Sequence, residues 1–317
     1  MFKSILCIAA CFSCLYGEKF DPRKRKYCDM RCPELGNVVH TACNCTPGEG
    51  REEVGLDKMV EFREIVVEEH NKLRNKIASG ADTRNGASSA SDMMVVNYDL
   101  ELEYISRCYL RSTFNGYHDK CRTMPSGRDA GQNLAGQSVK DYSFALVKEF
   151  INDWYEEITD LQPDIIDKFH TLEHGKFIGH FTTVVWSTIN KIGCARSYTK
   201  DPKKLKFIYE AFVQTLLCNY DITVLKGKYA AVNVIGGQVY KRGKPCSECP
   251  DNLKCNSKYT SLCGGLEPIP TDPPYDFNAP DKNNGKSRGK NTATQSLTIA
   301  SLLVITISSS LNVYFMY

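Results

Sequence analysis

Five consecutive residues, His170-Thr171-Leu172-Glu173-His174, carry the H-x-x-E-H pattern of one class of zinc proteases. In that chemistry two imidazoles hold the metal and the glutamate activates water, which requires a helix that turns both histidines to one side. Gly175 follows at once, Pro163 lies upstream and the apolar face is thin, so the sequence argues against a metalloprotease. Cys246-x-x-Cys249 has the spacing of a zinc knuckle or a redox pair, yet Cys255 and Cys263 follow closely and disulfides are the stronger expectation. A Cys–His protease needs a free thiolate, and every mature cysteine has a candidate partner. Ser143 and Ser187 are available hydroxyls, but no G-x-S-x-G elbow presents one.

The cysteines speak for compartment instead. The chain has 317 residues and 15 cysteines, and its 42% hydrophobic content is enough for a globular core. Met1-Phe2-Lys3, an apolar run from Ile5 to Tyr16 and Gly17 have the layout of a secretory signal over residues 1–17. Its removal discards Cys7, Cys11 and Cys14 and leaves an even set, as a paired extracellular framework requires. Lys+Arg of 40 against Asp+Glu of 37 gives a net charge of +3, which offers no argument for nucleic acid. Residues 296–317 are apolar and uncharged. With the small residues at Asn283 and Asn284 and a polar spacer, they fit a signal exchanged for a glycosylphosphatidylinositol anchor; a spanning helix or a plain soluble tail remain open.

Between these ends the periodicity sets the elements. Residues 18–53 form a basic leader, with Arg23-Lys24-Arg25-Lys26 read as solvated and flexible, and a cysteine-rich loop. A domain over 54–240 begins with a helix at 55–79, where Met59, Phe62, Val66, His70, Leu73 and Ile77 share one face and Gly80 stops it. His70 on that face is expected to be a satisfied core histidine. Further helices are predicted near 98–113 and 143–159, followed by strands at Phe181–Ser187, Leu205–Tyr220 and Tyr229–Ile235. Helices first and strands later make an α+β fold. Residues 241–265 are a cysteine-stapled extension, and 266–295, with five prolines at 268, 270, 273, 274 and 280, an extended stalk.

Several stretches, in order along the chain, carry a resemblance. Gly179-His180-Phe181-Thr182-Thr183-Val184-Val185-Trp186 resembles the G-H-[FY]-T-x-x-V-W signature of the CAP superfamily, which comprises cysteine-rich secretory proteins, antigen 5 and pathogenesis-related 1 proteins. Leu217-Cys218-Asn219-Tyr220 resembles its second signature. Glu69-His70-Asn71-Lys72-Leu73-Arg74, His118-Asp119-Lys120-Cys121-Arg122, Gly131-Gln132-Asn133-Leu134 and Trp154-Tyr155-Glu156-Glu157 match further family stretches in order. Tyr27-Cys28-x3-Cys32 and His40-Thr41-Ala42-Cys43 are similar to the antigen 5 (venom allergen 5) branch.

The resemblance implies an α-β-α sandwich with a cleft of two histidines and two acidic residues. Residue by residue these fall on His118, His180 and Glu157, with Gln132 standing where the wider family has the other acid. Such a cleft is a candidate zinc or copper site, although the two imidazoles equally suit a hydrogen-bonding role, and Glu157 a helix-end carboxylate. The implied disulfides are Cys28–Cys43, Cys32–Cys121, Cys45–Cys108, Cys194–Cys218, Cys246–Cys255 and Cys249–Cys263. Asn44-Cys45-Thr46 is a glycosylation sequon with a cysteine at its centre.

The resemblance further implies a non-enzymatic extracellular protein, secreted or attached at the membrane through its tail. Its partners would be small apolar ligands such as sterols or fatty acids, or host proteins, and no cofactor is required. A hydrolase working from His118, Glu157 and His180, or a purely structural surface module, are the competing readings.

Overall fold

The periodic apolar face of the first helix is realised as α1, Met59–Ala78, which buries Met59, Phe62, Val66, His70 and Ile77. The chain leaves it at Gly80, whose φ of 76° lets the Ala81 and Gly80 amides close back on the Lys76 and Ile77 carbonyls, the C-terminal capping that an L side chain resists. This is a computed structural model describing residues 20–32, 36–173, 176–200, 213–222, 232–279 and 312–313. The expected signal at 1–17, the anchor positions Asn283 and Asn284 and nearly all of the apolar tail lie outside the described residues. No helix among the described residues is long and apolar enough to cross a membrane.

The remaining elements are β1 (Arg31–Cys32), β2 (Val38–Val39), β3 (Arg51–Glu53), β4 (Asn97–Tyr98), α2 (Leu100–Ser112), β5 (Gly131–Gln137), α3 (Phe144–Glu156), α4 (Pro163–Asp167), α5 (Gly179–Val185), β6 (Lys191–Thr199), β7 (Val213–Asp221) and β8 (Asn312–Val313). β1 and β2 make a small antiparallel pair in the cysteine-rich loop. The main sheet runs β3-β6-β7-β5-β8, with β4 parallel to β6 and the other neighbours antiparallel. Residues alternate between its faces, as the pleat requires. Ala135, Cys194, Leu216, Cys218 and Tyr220 meet α1, α3 and α5 on one side. Leu134, Ala195, Val213 and Leu217 meet Tyr109, Leu110 and Phe114 at the end of α2 on the other.

Covered on both faces, the sheet explains two departures from the sequence-based expectation. β5 and β6 were absent from it because strands buried on both sides show no alternation of polar and apolar residues. The β-branched run Phe181–Ser187, expected as a strand, is instead the helix α5; all seven of its residues are buried, so it too carries no polarity period. Its first turn is fixed by Glu157, whose Oε2 accepts from the amides of His180 and Phe181 at 2.9 and 3.1 Å, two of the donors a helix start leaves open. The strand expected at Leu205–Tyr220 is seen from Val213, with 201–212 outside the described residues. Val232–Ile235 is an irregular turn with Asn233 at a φ of 54°, and 229–231 lie outside.

α2 is buried almost all round because a third layer covers its outer side. Tyr27, Ala42 and Met124 pack there, with Phe20, Tyr275 and Phe277 alongside. The proline-rich stretch expected as a stalk is extended, but over 266–279 it lies on the domain. Arg63 donates to the Pro270 and Asp272 carbonyls and Arg107 to that of Tyr275, while Phe277 stacks on Tyr104 at 5.0 Å with Arg107 and Arg111 over its ring. Two guanidiniums, Arg63 of α1 and Arg107 of α2, explain why a proline-rich segment stays down: they satisfy carbonyls that the segment leaves without a ladder. Residues 23–26 of the basic leader are exposed, as expected, and one of them is tied to the domain: Arg25 pairs with Glu101 of α2 through its Nε and one terminal nitrogen, while Arg23 bonds only Asp21 beside it.

Candidate functional site

Buried polar side chains place the two cleft histidines. α5 is anchored at its C-terminal end by Arg74, which is fully buried on α1 and donates to the carbonyls of Met94, Val184, Trp186, Ser187 and Ile189. A cation there meets the partial negative charge that a helix C-terminus gathers. Burial pushes the Arg74 guanidinium down to about 9, still charged at neutral pH. Next to it, His70 Nδ1 donates to the Val66 carbonyl at 2.8 Å and Nε2 accepts from the Tyr220 hydroxyl at 2.9 Å. His70 is therefore a core histidine that ties α1 to β7, as its place on the apolar face suggested.

At the opposite end of α5 stands His180, 2% exposed and stacked on Trp154. Its Nδ1 lies 2.6 Å from Oε1 of Glu157, the residue that caps the helix with its other oxygen. A carboxylate only accepts, so Nδ1 carries a proton, and in the neutral imidazole the lone pair falls on Nε2. His118, in the loop after α2, repeats the arrangement with an amide. Its Nδ1 is 2.7 Å from Oε1 of Gln132 on β5. The Gln132 nitrogen faces Asp119 Oδ1 and Asn219 Oδ1, both at 2.8 Å, so its oxygen is the atom turned to His118. Here too Nδ1 is the donor and Nε2 the acceptor. Burial, and after it the nearby Arg122 charge, pushes His118 down to about 4.

The cleft beside His118 encloses about 310 Å³, with Lys120, Arg122, Val232 and Asn233 in its walls; His180 is not one of its lining residues, and Asn233 is what connects that wall to the start of α5. Asn233 bonds the start of α5 through the Gly179 carbonyl and the hydroxyls of Thr182 and Thr183. Asp119, Asn219 and Asn233 escaped the sequence reading as site residues. Asp119 and Asn219 stood inside quoted motifs, and pairing of Gln132 with Asn219 across β5 and β7 is what joins them. Glu157 and Gln132, expected beside the histidines as ligands, sit behind the imidazoles with their oxygens committed to Nδ1.

Among the described residues the other chemical candidates do not assemble. His170 lies in a loop, 40% exposed and 3.0 Å from Asp164, and His174 is outside the described residues. The sulfurs of Cys246, Cys249 and Cys263 cluster, but each is spent in a disulfide. All six implied pairs are joined, including Cys45–Cys108 with Cα atoms 4.7 Å apart. Asn44 is exposed, and its Oδ1 accepts from the amide and hydroxyl of Thr46.

The family model of CAP, the cysteine-rich secretory protein family, matches residues 67–220. The chain is 30% identical over 250 residues to Venom allergen-1 of Aedes aegypti, covering 77% of this chain and 89% of the relative. The chain belongs to the CAP family. Two other CAP relatives are CRISP/Allergen/PR-1 of Trittame loki, 32% identical over 206 residues, and the Cysteine-rich venom protein of Tityus serrulatus, 31% over 245. The alignments cover 64% and 75% of this chain, but only 46% and 54% of those relatives. Among solved structures, Na-ASP-1 superposes with a TM-score of 0.50 at 20% identity, covering 76% of this chain and 50% of that one. That likeness concerns the fold: the sheet between α2 and the α1, α3, α5 layer is the α-β-α sandwich of a CAP domain.

The CAP domain's buried imidazoles make it sensitive to acid. His70 and His118 both titrate at about 4 in the folded protein, below their ordinary 6.5, with burial as the leading cause. Between those values the unfolded chain binds more protons, so stability falls as pH drops from about 6.5 and levels off below about 4. Each group contributes at most about 1.4 kcal/mol per pH unit. Urea unfolding of wild type and His70→Gln at several pH values should show a flatter profile for the variant across that window; parallel profiles would contradict the assignment.

Proposed function

We propose that this CAP protein is a non-enzymatic extracellular binding protein whose cleft holds a divalent metal, zinc or copper, on the Nε2 atoms of His118 and His180. The observation that carries the reading is the commitment of both Nδ1 atoms, to Gln132 and to Glu157. A metal-ligating histidine characteristically donates its other ring nitrogen to a carboxylate or amide oxygen, which fixes the tautomer and raises the basicity of the ligating atom. Imidazole suits zinc and copper alike. Two protein ligands leave coordination positions to water, so a bound ion would supply an attachment point for a donor atom of a guest molecule. Twelve cysteines spent in disulfides support an oxidising, extracellular setting, and attachment to a surface through the tail at 296–317 belongs to the same reading. Zinc should raise the melting temperature of the wild type and leave His118→Ala and His180→Ala unmoved, since only binding to the native state stabilises. Equal shifts in all three proteins would refute the site.

A second reading concerns apolar ligands such as a sterol or fatty acid. A groove of about 340 Å³ lies against the start of α5, walled by Phe169, Leu172, Phe177, Ile178 and Ile235, the last 68% exposed. Exposed apolar surface that is concave favours a small hydrophobic guest. Radiolabelled sterol or fatty acid should be retained by the wild type and lost by Ile235→Asp; equal retention argues against this groove.

A further inference from the structure

His180 has a carboxylate directly behind it, and His118 does not. Behind His118 stands the neutral amide of Gln132, buried at 4% exposure and held from the far side. A free carboxamide would be indifferent. Turned one way it offers an oxygen and leaves the proton on Nδ1; turned the other it offers an N–H, and the proton must move to Nε2, which closes that atom to a metal. What decides the orientation is Asp119. Its Oδ1 accepts from Gln132 Nε2 at 2.8 Å and from Arg122 Nη1 at 3.0 Å, and its Oδ2 from the Thr41 hydroxyl at 2.5 Å. Three donors converge on this carboxylate, and Asn219 Oδ1 is a second acceptor for the same amide nitrogen.

We propose that Asp119 is the carboxylate that keeps His118 ready for a metal, acting as a positioning residue through the side-chain amide of Gln132. The amide passes on the constraint: an acceptor at its nitrogen turns its oxygen to His118, and bonds in such a chain polarise one another. The cleft thus has two acid-supported imidazoles by different routes, Glu157 on His180 directly and Asp119 on His118 through one intervening group. The inference deepens the metal reading above and rests on it only for affinity; the tautomer of the metal-free protein tests it independently.

Long-range 1H–15N correlation spectra of the 15N-labelled, metal-free full chain at neutral pH read the tautomer. The wild type should hold His118 wholly as Nδ1–H. Asp119→Ala should add an Nε2–H population and weaken zinc binding, followed by competition with a chelator, about 10–100-fold, the usual effect of losing an outer support. His180 should be unchanged in tautomer. Gln132→Leu should release His118 as well, and Asp119→Ala added to it should do nothing further. Gln132→Glu combined with Asp119→Ala should restore the Nδ1–H form, because the carboxylate then meets the imidazole directly. If Asp119→Ala, which also loses the Thr41 and Arg122 contacts, does not fold, Gln132→Leu alone decides. Persistence of a pure Nδ1–H form in either single variant, or absence of rescue in the double one, overturns the proposal. If the wild type binds no zinc, the metal reading falls while the tautomers still judge the relay.

Discussion

A guanidinium that meets no carboxylate at hydrogen-bonding distance among the described residues, sealed inside the domain, is the constraint around which the α1, α3, α5 layer is built. Burying a charge is expensive unless its donors are all met, and Arg74 meets them with five backbone carbonyls from the segment before β4 and from the end of α5 and the turn beyond it. Those carbonyls belong to irregular chain and a helix terminus, where no ladder would satisfy them. The cation and the carbonyls therefore require one another. No neutral side chain of that length offers as many donors, and lysine lacks the planar fork. α1 is pinned to α5 as a result, and His70 pins the same helix to β7.

From that anchor the site follows. α5 is only seven residues long, too short to stand on its own propensity, and it is held at both ends by buried or half-buried charge. Arg74 takes its last carbonyls and Glu157 its first amides. The same Glu157 oxygen pair that caps the helix also orients the imidazole at its start, so folding and site geometry share one side chain. His118 reaches the cleft from another direction. It depends on the register of β5 against β7, which brings Asn219 to Gln132, and on the loop that carries Asp119. A slip of one residue in that pairing would turn Gln132 to the other face of the sheet and leave His118 without its support.

Much of this was legible in the sequence, unevenly. α1 and α3 announced themselves because each has one apolar face and one wet face. α5 and β6 did not, because each is covered on every side and keeps no polarity period to read. The disulfide scaffold and the residues His118, His180, Glu157 and Gln132 were reachable through motif resemblance. Their division of labour was not, since it depends on which oxygen faces which nitrogen. Asp119 was visible beside His118, but only the folded chain shows that it accepts from the Gln132 amide. The docking of 266–279 was hidden for a different reason: proline-rich composition reports that a segment is extended, and says nothing of the arginines on α1 and α2 that hold it down.

In the proposed site the two imidazoles are the protein's ligands to a divalent ion while the acids stay behind them. X-ray absorption spectroscopy of the zinc-loaded full chain tests it most directly. The expected result is imidazole scattering from two nitrogens at about 2.0–2.1 Å, with the remaining light-atom ligands replaceable by an added small anion. Glu157→Gln should leave that shell intact and lower only the affinity. A shell with one imidazole, or one that loses an oxygen when Glu157 becomes an amide, would contradict it.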